Sequence, residues 1–299
     1  MGASGPFAGL VVGARDPEAL VSFLAGFGLE ELARPELDDD EAAALYGQGC
    51  RVVPGPLLAA PGVPDGPTVR VLRTDTGGAA PTGWQCGPRA LDVYTADLDR
   101  STAAAVAAGW TVSPEALIEG GPMRMRQALI TGPEGFPLVL VESTHRRSSV
   151  LDGEPDRLHS EPHSVVWCVA DQAAEAERWR AAGWSVGAPV HFAEPTVSDE
   201  LGLAERPTPI TMTMISDDDV NALRLELLSF DDHLDAAPGS SSAGPAGLHA
   251  LEVGVASIVD EVARWVDGAR FGKVVTRADG RGAVSGTTGG GVRLVLIEA

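Results

Sequence analysis

Four stretches of the chain alternate apolar with polar or small residues: FAGLVVGARD (Phe7–Asp16), RALDVYTAD (Arg89–Asp97), HSVVWCVAD (His163–Asp171) and HALEVGVAS (His249–Ser257). A period of two is that of a half-buried strand, whose side chains project to its two faces in turn. Each stretch ends on Asp or Ser, which suits the N-cap of a following helix. After Asp16 comes Pro17, a residue that fits the first helical position, and Leu20, Val21, Phe23, Leu24 and Phe27 then form one apolar helical face. Gly28 stops that helix. Twelve residues separate Asp16 from Gly28, Asp97 from Gly109 and Asp171 from Gly183, and eleven separate Ser257 from Gly268. The pattern predicts four copies of one unit, strand then capped helix then glycine.

Each unit closes on another apolar strand: TVRVLR around Val69, FPLVLVES around Leu138, LRLELLSF around Leu225 and VRLVLIEA around Leu294. The middle of each unit reads as short strands and loops. A longer period overlies the short one. Asp16 and Asp171, Gly28 and Gly183, and Gly47 and Gly202 all stand 155 residues apart. Three markers with one offset predict that residues 1–146 were duplicated to give 160–299, the segment between being a polar linker. A Gly/Ser/Pro-rich stretch at 231–247 reads as a flexible connection.

A strand, an Asp-capped helix ending in Gly, three strands and a last strand after a Gly turn resemble the module of the vicinal oxygen chelate superfamily, which includes glyoxalase, bleomycin-resistance and dioxygenase proteins. The resemblance covers almost the whole chain. It implies an α+β fold of four βαβββ modules in two tandem domains, 1–146 and 160–299, with open curved sheets around cavities.

The resemblance also implies a metal ligand at two slots per module, a His or Gln in the first strand and a Glu in the closing strand. The first slots hold Gly9, Ala90, Ser164 and Ala250. The second hold Arg70, Val139, Glu226 and Val295. Only Glu226 keeps a ligand, and one carboxylate does not hold a catalytic metal, so no cofactor is favoured. The alternative is a divalent metal (Fe, Mn, Zn or Ni) on His163, Glu226 and His249. It needs a one-residue bulge in both strands to turn the two imidazoles inward. Without bulges, strand parity puts His163 and His249 outside the cavity.

The same parity selects the cavity residues. The N-terminal pair of units is expected to present Arg15, Arg70, Asp92 and Tyr94, and the C-terminal pair Ser164, Cys168, Glu226 and Glu252. Asp92, Glu226 and Glu252 are the candidate acid–base groups, since a carboxyl in an apolar cavity holds its proton to higher pH. Arg124 and Arg126 in PMRMRQAL face one way, toward either cavity or solvent, and are candidate ligand contacts. The C-terminal cavity around Glu226 is the expected site.

Composition narrows the partners. With 42 acidic and 22 basic residues, the formal charge of −20 repels nucleic-acid phosphates and anionic membranes. Cys50, Cys86 and Cys168 are odd in number and show no CxxC spacing, which fits neither a disulfide framework nor a zinc knuckle. The N-terminus lacks the pattern of a signal peptide, and the expected location is cytoplasmic. The expectation is a monomer or homodimer acting on a hydrophobic, oxygenated small molecule by metal-independent isomerase, cyclase or lyase chemistry. The alternatives are a protein that sequesters a toxic metabolite, and a metal-dependent dioxygenase or glyoxalase-type enzyme.

Overall fold

A computed structural model describes residues 6–33, 39–46, 53–63, 65–74, 85–120, 123–200, 208–216, 222–231, 247–265 and 268–298. Gly47, Cys50 and Gly202 lie outside the described residues. Unit one comprises β1 (Phe7–Ala14), α1 (Pro17–Ala25), β2 (Glu30–Ala33), α2 (Asp39–Tyr46), β3 (Val53–Ala59) and β4 (Thr68–Arg73). Unit two comprises β5 (Gly87–Thr95), α3 (Leu98–Ala107), β6 (Thr111–Val112), β7 (Ala116–Gly120), β8 (Met123–Thr131) and β9 (Pro137–Ser143). Unit three comprises β10 (His159–Cys168), α4 (Gln172–Ala181), β11 (Ser185–Val186), β12 (Val190–Phe192), α5 (Pro195–Glu200), β13 (Ile210–Ser216) and β14 (Arg224–Phe230). Unit four comprises β15 (Gly247–Val255), α6 (Ile258–Arg264), β16 (Ala269–Phe271), β17 (Val275–Thr276), β18 (Gly282–Thr288) and β19 (Arg293–Glu298).

The helix starts follow the sequence reading. Asp16, Asp97, Asp171 and Ser257 each accept, through the side chain, the N–H three residues on, which satisfies a donor the helix cannot. Gly28, Gly109 and Gly183 take positive φ after the first, third and fourth helices, where a side chain would be strained.

The strands form two open sheets. The first runs β16-β18-β19-β15-β1-β4-β3-β2 and the second β11-β13-β14-β10-β5-β9-β8-β6, with β17, β12 and β7 paired at their margins. The first sheet therefore joins units one and four through the antiparallel β1–β15 pair, and the second joins units two and three through β5–β10. This corrects the expected contents of the cavities. The strand pairing between units runs across the two halves of the chain, unit one with four and unit two with three, and not between units one and two or between units three and four.

Within each half the contact is made by helices and aromatic side chains instead. Phe23 of α1 meets Trp110 and Phe136 of unit two edge-on, with ring centroids 5.0 and 6.1 Å away. Trp179 of α4 meets Trp265 of unit four at 4.9 Å, while Phe7 of unit one stacks on Trp184 of unit three at 4.4 Å across the halves. One core on the helix side of both sheets follows, holding Leu10, Leu91, Val165 and Leu251 with their i+2 neighbours. Burial of this continuous apolar layer is the main stabilising term.

The other face of each sheet differs. In the first sheet α2 lies against it, and Ala42, Leu45 and Tyr46 pack on Val11, Leu72, Ala250 and Val295. In the second sheet unit two supplies strand β7 where unit one has α2 in chain order, and the inner face lines a cavity of about 250 Å³. No helix among the described residues is long and apolar enough to cross a membrane.

Candidate functional site

The cavity of the second sheet is walled by apolar side chains, among them Ile118, Met125, Val139, Val166, Met212 and Leu228. Besides Arg89, Gln127, Ser143, His145 and Arg147, its polar lining includes a set that converges. Asp92 and Tyr94 come from β5, His163 from β10, Arg224 and Glu226 from β14, and Glu200 from the end of α5. Parallel pairing sets Val166 beside Glu226, and antiparallel pairing sets Ser164 beside Asp92. These two registers carry an acid from unit two and an acid from unit three to one serine.

Ser164 Oγ lies 2.9 Å from Asp92 Oδ2, 2.7 Å from Glu226 Oε1 and 2.9 Å from His163 Nδ1. A hydroxyl has one proton to donate and two lone pairs. It can donate to only one of the carboxyls, so at least one of the two must carry a proton and donate to Oγ. Burial, followed by the nearby Glu226 charge, pushes Asp92 well above the ordinary carboxyl range. Burial also raises Glu226. Glu200, whose Oε2 accepts from Gln127 Nε2 at 2.6 Å, is pushed up to about 7 by burial. Burial, then the charges of Arg224 and Arg147, hold His163 well below its ordinary value, so the imidazole is neutral. Tyr94 stacks on it with centroids 3.8 Å apart. Asp92 Oδ1, His163 Nε2, Arg224 Nε and Glu200 Oε1 are buried with no hydrogen-bond partner among the described residues. Four such atoms around one cavity are unusual in a folded protein, where buried polar atoms are nearly always paired.

Arg70 and Glu252, expected in separate cavities, meet in the first sheet. Arg70 Nε and Glu252 Oε1 are 2.7 Å apart with both side chains buried, and Tyr46 Oη donates to Glu252 Oε1 at 3.1 Å. Arg70 was expected to share a cavity with Asp92, and Glu226 with Glu252; these partners are exchanged, because the sheets join units one with four and two with three. His163 also departs from expectation. Between Pro162 and Ser164 the register against β5 slips by one, and between Leu248 and Ala250 the register against β1 does the same. His163 and His249 are the extra residues of two equivalent bulges, which turn both rings to the inner face. They lie in different sheets, however, so His163, Glu226 and His249 do not assemble into one ligand set.

The remaining candidates fall outside the cavity. Arg15 follows the end of β1 and pairs, largely exposed, with Glu134 at 3.1 Å. Arg126 pairs with Asp99 and Glu115 on the outer side of β8, and Arg124 pairs with Glu119. Met125, Gln127 and Leu129 are the β8 residues that line the cavity. Cys168 reaches the inner side but packs beside Cys86, Leu228 and Phe230 and does not line the cavity. Sequence reasoning passed over Arg224 and Glu200. Arg224 shares the parity of Glu226 two residues later and was readable in LRLELL; Glu200 sits on a short helix with no periodic signal.

The residues present do not fit a divalent metal. Among the described residues no three His, Cys, Asp or Glu side chains form a group able to hold one. Asp92, Glu226 and His163 converge on the Ser164 hydroxyl, which occupies their common point. Arg224 NH2, 3.3 Å from His163 Nδ1, sets a fixed positive charge beside it.

No protein-family model matches the sequence, and no curated protein matches it. Solved structures do. Glyoxalase I from Zea mays is similar over 99% of this chain and 92% of its own, with a TM-score of 0.65 and 14% identity. A Bacillus subtilis protein described as a candidate dioxygenase is similar over 100% of this chain and 86% of its own, with a TM-score of 0.63 and 12% identity. At such identity the likeness is one of fold, and together with the four strand–helix units it establishes that this chain has the vicinal oxygen chelate fold over its whole described length.

Proposed function

We propose that the chain is an enzyme that binds a small, apolar, oxygenated molecule in the cavity of units two and three. It transforms that molecule by proton transfer to and from the Asp92–Glu226 pair, without a metal. Isomerisation, cyclisation or elimination are the reactions such chemistry serves. The carrying observation is the Ser164 hydroxyl shared by two buried carboxyls, at least one of them protonated, at the wall of an apolar cavity. A raised pKa suits a group that must both give and take a proton near neutrality. The cavity volume of about 250 Å³ lies just below the usual range of small-molecule pockets, which points to a compact substrate. The common offset of the N-caps supports the origin of 1–146 and 160–299 in a duplication.

The test is proton exchange in D₂O, followed by NMR, with a panel of compact hydroxy-carbonyl compounds. Turnover should fall about 10²- to 10⁴-fold in Glu226→Gln and in Asp92→Asn. Turnover undiminished in the double variant would sink the acid–base role, and tight binding with no turnover of any compound would leave a sequestering protein.

A further inference from the structure

The first sheet contains a built example of what the second leaves open. In the first, the carbonyl oxygen of Tyr46 lies 2.6 Å from His249 Nε2 and 3.1 Å from Arg293 NH2. A carbonyl oxygen only accepts, so His249 must carry its proton on Nε2. In the second sheet the same two side chains recur at the same places. His163 is the bulge residue of β10 as His249 is of β15. Leu251 pairs with Leu294 and Val165 with Leu225, so Arg293 and Arg224 each precede the equivalent residue of the closing strand. Yet His163 Nε2 and Arg224 Nε are buried without partners among the described residues. The cause lies in the chain order: α2, which delivers Tyr46, belongs to unit one, and unit two has β7 instead.

Resting on the proposed small-molecule site and refining it, we infer that His163 Nε2–H and Arg224 form a subsite for a carbonyl oxygen of the ligand, taking the place that the Tyr46 carbonyl fills in the other sheet. The ligand is accordingly an uncharged ketone, aldehyde, ester or amide. The tautomer agrees with this role. Arg224 NH2, which can only donate, faces His163 Nδ1 at 3.3 Å; with Nδ1 accepting, the ring proton sits on Nε2. The Ser164 hydroxyl, 2.9 Å from Nδ1, also donates to it, and both carboxyls then donate to Ser164 Oγ. The stacked Tyr94 ring fixes the plane of the imidazole. The pair carries the Arg224 charge, and the buried acids Asp92, Glu226 and Glu200 across the cavity disfavour an anionic ligand, which leaves an uncharged carbonyl. The acid pair joined to His163 through Ser164 then lies next to the polarised carbonyl, where proton transfer at the adjacent carbon is assisted by the hydrogen bonds to its oxygen.

The probe is 4-hydroxyacetophenone labelled with ¹³C at the carbonyl, compared with 4-ethylphenol, which has the size of a tyrosine side chain and no carbonyl. Bound to the full chain, the ketone should show a carbonyl stretch moved to lower frequency by infrared difference spectroscopy. It should bind about three- to tenfold more tightly than the phenol. The frequency shift should vanish in His163→Leu, persist in His163→Gln and weaken in Arg224→Met. Asp92→Asn and Glu226→Gln should keep the shift while losing turnover, so failure of the acid–base reading leaves this subsite standing, and the converse holds. Nitrogen-15 NMR of the histidines in the unliganded wild-type chain should show His163 as the neutral Nε2–H form, a measurement that needs no variant to fold. An unshifted carbonyl stretch, undiminished preference for the ketone in His163→Leu, no binding of the ketone up to about 10 mM, or a His163 proton on Nδ1 would each overturn the inference.

Discussion

Glu200 offers the sharpest quantitative test of the cavity, because its surroundings convert directly into a stability curve. It is 6% exposed, accepts one hydrogen bond from Gln127 and leaves Oε1 unpartnered. Burial raises its pKa from 4.5 to about 7. The folded state then holds the proton more tightly than the unfolded state does. Below pH 4.5 both states are protonated and the group is neutral to stability. As pH rises toward 7 the unfolded chain ionises freely while the folded one resists, so stability falls by about 1.4 kcal/mol per pH unit; above about 7 the loss is constant. A shift of two and a half units corresponds to about 3 kcal/mol. Glu200→Gln keeps the shape, and its carboxamide oxygen still accepts from Gln127. Urea denaturation of both proteins from pH 4 to pH 9 measures the difference. The variant should match wild type near pH 4 and gain about 3 kcal/mol by pH 8, a rise of about 1 M in midpoint for a slope near 3 kcal/mol per molar. A difference independent of pH, or a variant less stable at pH 8, would refute the assignment of Glu200 as a buried, proton-holding acid. Such a gain on removing a charge is what a cavity kept for function predicts.

Arg70→Met should cost about 3–5 kcal/mol in urea denaturation, because it strands the buried Glu252 carboxylate that Arg70 meets at 2.7 Å. The double variant Arg70→Met/Glu252→Met should recover much of that loss; additive losses would show that the pair is not coupled. Gly132→Ala should destabilise by about 1–3 kcal/mol, since a Cβ there would lie 2.7 Å from the Phe23 ring across the contact between units one and two. An unchanged melting temperature would mean that this contact is looser than described. Asp97→Ala removes the acceptor of the Arg100 N–H, 2.9 Å away, and should lower stability by about 1 kcal/mol by calorimetry, with no loss indicating that water replaces the cap.

Much of this molecule was legible along the chain, because its signals are local. Alternation in FAGLVVGA, RALDVYT, HSVVWC and HALEVGV fixed the faces of four strands, and Leu10, Leu91, Val165 and Leu251 do lie in the core on the helix side. The caps Asp16, Asp97, Asp171 and Ser257 act through hydrogen bonds to residues three positions on, within reach of any sequence window. Asp92, Tyr94, Ser164 and Glu226 were readable as inward-facing by the same parity. Tertiary structure alone decided which units share a sheet. Every unit offers the same strand edge, and the choice of β1–β15 and β5–β10 pairing depends on contacts distant in sequence. That choice brought Arg70 to Glu252 and Asp92 to Glu226, turning one inner face into a neutralised, helix-covered core and the other into a cavity with buried acids in its wall. It also placed the bulges that turn His163 and His249 inward. A single extra residue reverses strand parity, and no local preference in the sequence marks where it falls.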